Sequence, residues 1–191
     1  MSASPVAKLT LNDYLAIDRT SDRPLEFHDG EIYPIVDTTV VHSILTANVV
    51  HHLASRLDAS KCRVLSVACI RATAKNVVYS DIAVFCGSIL RAKDAPDSAT
   101  NPKLIVDVLS PSTQGYDYSR KFNIYCTIPT FEEYVFIAQD QPRVHVFHKN
   151  SNVKWTLTKY DGLQSVIKLE SLNIELPAAD IFAGIEFQLA G

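Results

Sequence analysis

Two short segments of the chain are almost entirely apolar, and each is interrupted by one aspartate. The first runs from Val77 to Cys86 around Asp81, and the second from Lys103 to Leu109 around Asp107. Such runs, without apolar/polar alternation, predict strands covered on both faces, as in the middle of an α/β sheet. A carboxylate there costs about several kcal/mol unless it is paired, protonated or bound to a metal. Asp107 is therefore either functional or a structural cap for the Ser/Thr-rich turn that begins at Pro111.

Helical periodicity is clearest between Val40 and Leu57, where apolar residues recur every three or four positions. A shorter helix is predicted after Thr10, which can cap it while Asp13 bonds back to the cap. The other predicted elements are strands at 25–27, 31–36, 62–74, 133–138, 143–148, 155–160 and 163–169, and helices at 115–127 and 178–183. Asp29-Gly30 predicts a tight hairpin turn, and 87–102 a long polar surface loop.

Length and charge limit the classes of protein to consider. The chain has 191 residues and 47% hydrophobic residues, which indicates one domain spanning 1–191 with a sizeable core. A net charge of −3 and a pI near 6.0 give no global basic field, although a local basic groove stays possible. No segment approaches the roughly 18 apolar residues of a membrane span, and no secretory signal is recognisable. We therefore expect a cytoplasmic protein that does not act in a membrane.

The cysteines are scattered along the chain, with no CxxC pair. They are Cys62, Cys69, Cys86 and Cys126. In a cytoplasmic protein this pattern favours reduced, buried thiols over disulfides or zinc ligands.

Several common chemistries lack their motifs. The sequence contains no Gly-Lys-Ser/Thr phosphate loop, no GxGxxG, no GxSxG and no HExxH. The sequence therefore gives little support for a nucleotide-binding protein, a serine hydrolase or a zinc enzyme.

The acidic residues support a different chemistry. Asp81 and Asp107 would lie close together if their strands were neighbours, and two carboxylates at one site raise a pKa or recruit a divalent cation. Oxygen ligands favour Mg²⁺ or Mn²⁺, which can activate water and stabilise charge on a phosphate. Lys121 could orient that water or offset transition-state charge, and Glu26 could add a ligand or a hydrogen bond. The alternatives are an exposed strand-end Glu26 and a solvated Lys121 paired with Asp117.

An ordered set of motifs then resembles a known family. The similar segments are Thr10 to Leu15 (LTxxEYL), Leu25 to Ile32 (YELIDGEI), His42 at the family's helix histidine, Tyr79 to Ile82 (YPDI), Ile105 to Thr113 (IVEVLSPST), Asp117-Lys121-Tyr125 (DxxxKxxxY) and Glu132 to Val135. Together they resemble the Uma-two (Uma2) family of putative restriction endonucleases, within the PD-(D/E)XK nuclease superfamily. The resemblance covers residues 9–185.

This resemblance implies a restriction-endonuclease-like α/β (α+β) fold, with a mixed central sheet flanked by helices and an added antiparallel C-terminal strand meander. It implies that Glu26, Asp81 and Asp107 form the acidic metal site. The superfamily's lysine would fall at Leu109, so its role is assigned to Lys121 on the following helix. Ser80 replaces the family's Pro. Asp107 replaces its usual Glu, which withdraws the carboxylate by about 1.3 Å, on the scale that catalytic positioning requires.

Three functions remain open from the sequence. The first is a Mg²⁺- or Mn²⁺-dependent endonuclease acting on DNA, and the second a catalytically degenerate module that binds nucleic acid or protein. The third is an enzyme on another substrate or a structural protein. A nuclease should have a basic cleft, for which the candidates are Arg71, Lys75, Arg91, Lys93, Lys103, Arg120 and Lys121. Exposed strand edges in the meander also predict a homodimer, which would suit cleavage of both strands of a duplex.

Overall fold

The structure is a computed structural model that describes residues 8–35, 39–109, 120–152 and 154–187. The helices are α1 (Leu11–Asp18), α2 (Val40–Arg56), α3 (Phe122–Tyr125) and α4 (Ala178–Ile181). The strands are β1 (Leu25–His28), β2 (Glu31–Pro34), β3 (Cys62–Thr73), β4 (Asn76–Cys86), β5 (Leu104–Leu109), β6 (Glu133–Ala138), β7 (Arg143–Lys149), β8 (Trp155–Asp161), β9 (Val166–Leu169) and β10 (Ile174–Pro177).

Eight strands form one mixed sheet with the order β2-β1-β4-β5-β6-β7-β8, and β3 pairs with β4 outside this path. Only β5 and β6 are parallel; the other pairs are antiparallel. The predicted C-terminal meander is present as β6-β7-β8, whereas β9 pairs with β10 in a separate two-stranded sheet. The mixed α+β architecture predicted from the sequence is therefore confirmed.

The central strands carry apolar layers on both sides. Every residue of β5 is buried, as its continuous apolar pattern predicted. Leu45, Val49 and Leu53 of α2 pack on one face of the sheet. Tyr125 and neighbouring aromatic residues form the core on the other face.

Local signals at the N-terminal end act as the sequence predicted. Thr10 caps α1 by accepting a hydrogen bond from the Asp13 N–H at 3.2 Å, and Asp13 accepts one from the Thr10 N–H at 2.8 Å. Asp29 and Gly30 link β1 to β2 with φ angles of 46° and 92°. Both values are positive, as the tight turn of a two-residue hairpin requires.

The loop 87–102 differs from its prediction as a polar surface segment. It lies along the free edge of β3, where the Arg71 N–H donates to the Ala99 carbonyl at 2.8 Å and the Ala99 N–H donates to the Cys69 carbonyl at 2.9 Å. Ala92, Ala95 and Ala99 are buried as a result. Alanines scattered among polar residues give no periodic signal, so only the packing reveals this contact.

The expectation of four reduced cysteines is wrong for one pair. Cys62 and Cys86 form a disulfide, because they lie directly opposite each other at the ends of β3 and β4. Cys69 and Cys126 are free thiols. The pairing depends on strand register, which the spacing of the cysteines does not encode.

Three sequence predictions extend beyond the described residues, one of them only at Val36, the last residue of the strand predicted at 31–36. The turn after Pro111 and the first part of the helix predicted at 115–127, including Asp117, lie outside them. Among the helices that the structure describes, none is long and apolar enough to cross a membrane.

Val67 combines a strained backbone with an exposed side chain. Its φ is 50°, in the left-handed region that β-branched residues rarely adopt, and its side chain is exposed. Ser66 pairs with Ile82 and Ala68 with Ser80, so Val67 lies opposite Asp81. Strain of this kind costs on the order of 1–3 kcal/mol and concentrates at functional sites.

Replacing Val67 by glycine should therefore stabilise the fold. We expect Val67→Gly to raise the free energy of unfolding by about 1 kcal/mol, because relief of strain exceeds the entropy cost of glycine. Urea unfolding followed by circular dichroism measures this. The matched control, Val64→Gly on the same strand, should destabilise, and an equal loss in both variants would contradict the assignment of strain.

Candidate functional site

The candidate site lies at a fork in the sheet. β3 follows one edge of β4 for its whole length. On the opposite edge, β1 pairs with Asn76 and Val77, whereas β5 pairs with Ile82 to Val84. The edge of β4 between these two pairings faces a gap, where its backbone groups need other partners.

Carboxylates fill this gap in place of a strand. The Tyr79 N–H donates to Glu26 Oε1 at 2.9 Å, and the Asp81 N–H donates to Asp107 Oδ1 at 3.0 Å. In return, Asp81 Oδ2 accepts a hydrogen bond from the Val108 N–H at 2.7 Å. Asp81 and Asp107 are thus brought together on adjacent strands by reciprocal side-chain-to-backbone bonds.

Lys121 enters the same gap from the segment just before α3. Its Nζ donates to the Tyr79 carbonyl at 2.8 Å and lies 3.1 Å from Glu26 Oε1. The Tyr125 hydroxyl also donates to the Tyr79 carbonyl, at 3.3 Å. Only 13% of the Lys121 side chain is exposed, so the alternative of a solvated helix lysine does not hold.

Glu26 is a buried, ionised carboxylate. Its alternative interpretation as an exposed strand-end residue is wrong, because only 5% of the residue is accessible. Burial alone raises the pKa of Glu26, but the Lys121 charge and the hydrogen bond from His28 Nε2 hold that pKa below its usual range. The His28 nitrogen lies 2.9 Å from Glu26 Oε2. Glu26 therefore presents a permanent negative charge to Lys121.

His42 is a site residue to which the sequence assigned no role. It lies in the first turn of α2, and its Nε2 is 3.1 Å from Asp81 Oδ2. Burial lowers the pKa of His42, but hydrogen bonding to Asp81 and the charges of Asp81 and Asp107 raise it above its usual value. Its place at a helix start, matching the helix histidine of the family motifs, was the available signal.

Asp107 lies behind the site and not on its surface. It is only 3% exposed, and Tyr134 donates a hydroxyl hydrogen bond to its Oδ2. Its other oxygen holds the Asp81 N–H. Tyr134 was not predicted either, since a buried tyrosine on a core strand resembles any other packing residue in sequence.

A cavity of about 440 Å³ opens over the fork. Glu26, His42, Asp81 and Lys121 contribute polar groups to its wall, whereas Asp107 does not line it. Ile35, Val50 and the strained Val67 give the same cavity an apolar side. The arrangement can hold a ligand that combines charge with apolar surface.

The donor set for a divalent cation is centred on Asp81. Oδ2 of Asp81 is engaged by Val108 and His42, whereas Oδ1 has no hydrogen-bond partner among the described residues, and 27% of the side chain is exposed. Within residues 8–35, 39–109, 120–152 and 154–187, no group of three or more His, Cys, Asp or Glu side chains is arranged to hold a metal ion. Mg²⁺ commonly binds through one or two carboxylates, water and substrate phosphate, so this sparse set fits that ion in the presence of a substrate.

Comparisons with known proteins place this geometry in context. The chain is similar to two uncharacterized proteins of Synechocystis sp., slr1290 and sll1609. It is 25% identical to slr1290 over 97% of both chains. It is 31% identical to sll1609 over 87% of this chain and 95% of the relative.

The fold is similar to a solved structure. A crystal structure described as a putative nuclease belonging to DUF820, from Anabaena variabilis, matches with a TM-score of 0.73. The match covers 92% of this chain and 98% of that protein, at 17% identity, which establishes the likeness of fold alone.

The family model Uma2, described as "Putative restriction endonuclease", matches residues 11–179, nearly the whole described fold. That span includes β1, β4, β5 and Lys121, which together build the fork. The chain therefore belongs to the Uma2 family of restriction-endonuclease-like proteins.

Proposed function

We propose that the protein is a divalent-metal-dependent endonuclease that hydrolyses phosphodiester bonds in DNA at the fork between β1 and β5. The observation that carries the proposal is the convergence of Glu26, His42, Asp81 and Lys121 on one cavity. These residues come from four separate segments of the chain, and a merely structural fork would not need to present them to a cavity. Membership of a restriction-endonuclease-like family supports the same reaction class.

Asp81 is the first candidate ligand for Mg²⁺ or Mn²⁺ in this proposal. When bound, such an ion supplies a water of lowered pKa and stabilises charge on the phosphate. His42 fixes Asp81 Oδ2, which leaves Oδ1 for the ion. The roles of Glu26 and Asp107 as further metal ligands stay predictions. Their carboxylates contact Lys121 and Tyr134, respectively, and would have to bind the ion in addition to these partners.

Lys121 is the candidate for stabilising charge that develops on the phosphate oxygens. Its ammonium group is fixed by Glu26 and the Tyr79 carbonyl at the wall of the cavity. A preorganised cation in a partly dry site stabilises a transition state more than a solvated one does. Asp107 would then act as a positioning residue, since it holds the backbone N–H of Asp81.

A catalytically inactive module with the nuclease fold is the second candidate. One observation favours it: both oxygens of Asp107 are engaged, and Asp107 does not line the cavity. In that case the acids and the lysine would only complete the backbone hydrogen bonding of the fork. The two candidates differ in whether any divalent ion gives cleavage.

Cleavage of both strands of a duplex would be served by a homodimer working in the cytoplasm. β8 supports a dimer, because β7 is its described partner in the sheet and its residues are mostly exposed. An exposed strand edge is a site where a second chain can pair. Sedimentation with and without duplex DNA would measure this assembly.

The first test is nicking of supercoiled plasmid with Mg²⁺ or Mn²⁺. We expect the protein to nick DNA only with a divalent ion, and we expect Asp81→Asn to lower the rate at least about 100-fold, because the ion loses its carboxylate. Asp58→Asn, an exposed acid remote from the fork, is the control. Absence of cleavage with either ion, together with absence of calorimetric metal binding, would instead favour the inactive module.

The second test separates catalysis by Lys121 from its structural role. Lys121→Met removes the lysine partner of the buried Glu26 carboxylate, which should cost about 3–5 kcal/mol of stability. Adding Glu26→Gln neutralises that charge, so the double variant should regain most of the thermal stability of the unsubstituted protein.

Nicking activity should not return with the stability, because the double variant still lacks the cation. Thermal melts and plasmid nicking on the single and double variants measure the two effects. Recovery of activity together with stability would show that Lys121 only maintains the fold.

A further inference from the structure

A second cleft lies where the end of β3 meets the loop 87–102. Its volume is about 510 Å³, and its lining includes three cationic residues and two threonines: Arg71, Arg91, Lys93, Thr73 and Thr100. Asp94 also lines it and brings a single negative charge. The cleft is separate from the cavity at the fork, with which it shares no lining residue.

Arg71 is the unusual member of this cleft. Only 7% of the residue is accessible, yet arginine is rarely buried to this extent without full pairing. Its Nη2 donates to Asp94 Oδ2 at 2.8 Å. Its Nε and Nη1 have no hydrogen-bond partner within the described part of the chain. Unsatisfied buried donors cost about 1–3 kcal/mol each, so the burial of this guanidinium is only partly compensated by hydrogen bonds.

A purely structural role explains this burial poorly. The loop is already attached to β3 by the backbone bonds between Arg71, Ala99 and Cys69. Asp94, the side-chain partner of Arg71 among the described residues, is about half exposed, so this ion pair is open to solvent on the Asp94 side. Nε and Nη1 are covered in this structure, so a phosphate would reach the guanidinium at Nη2, in the place that Asp94 occupies. Charge-assisted hydrogen bonds from arginine to phosphate are strong.

The second cleft and the cavity at the fork are connected by the strand β3. β3 contributes Ser66 and Val67 to the cavity over Asp81 and contributes Arg71 and Thr73 to the second cleft. At about 3.3 Å per residue, Val67 and Arg71 are separated by about 13 Å along the strand. Along the axis of a duplex, this length spans about four base pairs at roughly 3.4 Å each.

We propose that the second cleft binds a backbone phosphate of DNA, with Arg71 as its principal ligand and Asp94 as an internal anion that the phosphate displaces. The proposal rests on the proposed nuclease function, for which it supplies a contact that positions the duplex away from the reacting bond. Phosphate contacts of this kind fix register without reading sequence. Arg91 and Lys93 add positive charge at the mouth of the cleft.

The test is DNA binding in an Asp81→Asn background, in which cleavage should be at least about 100-fold slower. Fluorescence anisotropy of a labelled duplex is measured over a series of salt concentrations. Arg71→Gln should weaken binding about tenfold, the size expected for one charged hydrogen-bonded contact, and should reduce the salt-dependence slope by about 1.

Asp94→Asn should have the opposite effect and tighten binding, because it removes the competing anion from an exposed position. This variant keeps the test valid if Arg71→Gln folds poorly. Arg63→Gln, an exposed arginine on the same strand, is the control and should leave both affinity and slope unchanged.

The outcomes distinguish this inference from the nuclease proposal. Equal affinity and slope in the parent, Arg71→Gln and Asp94→Asn overturn the phosphate site, while metal-dependent nicking by the unsubstituted protein would still support the nuclease. If no form binds DNA, both proposals fail. Stabilisation of the fold by inorganic phosphate alone, lost in Arg71→Gln, would then assign the cleft to a free anion and overturn its assignment to DNA.

Discussion

The constraint on which the rest of the site depends is the unpaired stretch on one edge of β4. β1 and β5 pair with opposite ends of that edge, so the backbone of Tyr79 and Asp81 must find hydrogen-bond partners that are not strands. Glu26 and Asp107 accept the two N–H groups, and Lys121 donates to the Tyr79 carbonyl. Because a buried backbone group left unpaired is costly, these side chains stabilise the fold in addition to any role in chemistry.

The hydrogen bonds and ion pairs of these side chains explain why charged groups are tolerated inside the sheet. Glu26 stays ionised because Lys121 and His28 compensate for its burial. The carboxylate of Asp107 accepts hydrogen bonds from the Asp81 N–H and the Tyr134 hydroxyl. Asp107 therefore holds the backbone and Tyr134 in place, while Asp81 is the aspartate of this pair that lines the cavity.

On the other edge of β4, the paired strand β3 has a strained backbone at one residue. Val67 lies opposite Asp81 with a positive φ and exposes an apolar side chain at the wall of the cavity. Further along the ladder, Cys62 and Cys86 join the ends of β3 and β4 covalently. The distorted residue is thus enclosed by a firmly held pair of strands, and β3 contributes residues to both clefts.

Sequence alone determined the strands around Asp81 and Asp107, the helix beginning at Val40 and the Asp29-Gly30 turn, because each depends on local periodicity or turn chemistry. The residue pattern also singled out Glu26 and Lys121 as candidates, and the resemblance to the family motifs assigned them the same roles. Only the tertiary structure decided that Asp107 does not line the cavity, that His42 and Tyr134 contact the two aspartates, and that Cys62 pairs with Cys86. These facts depend on strand register and on which helix packs against which sheet face. Such long-range choices are fixed by the packing of the whole chain, and no local sequence pattern records them.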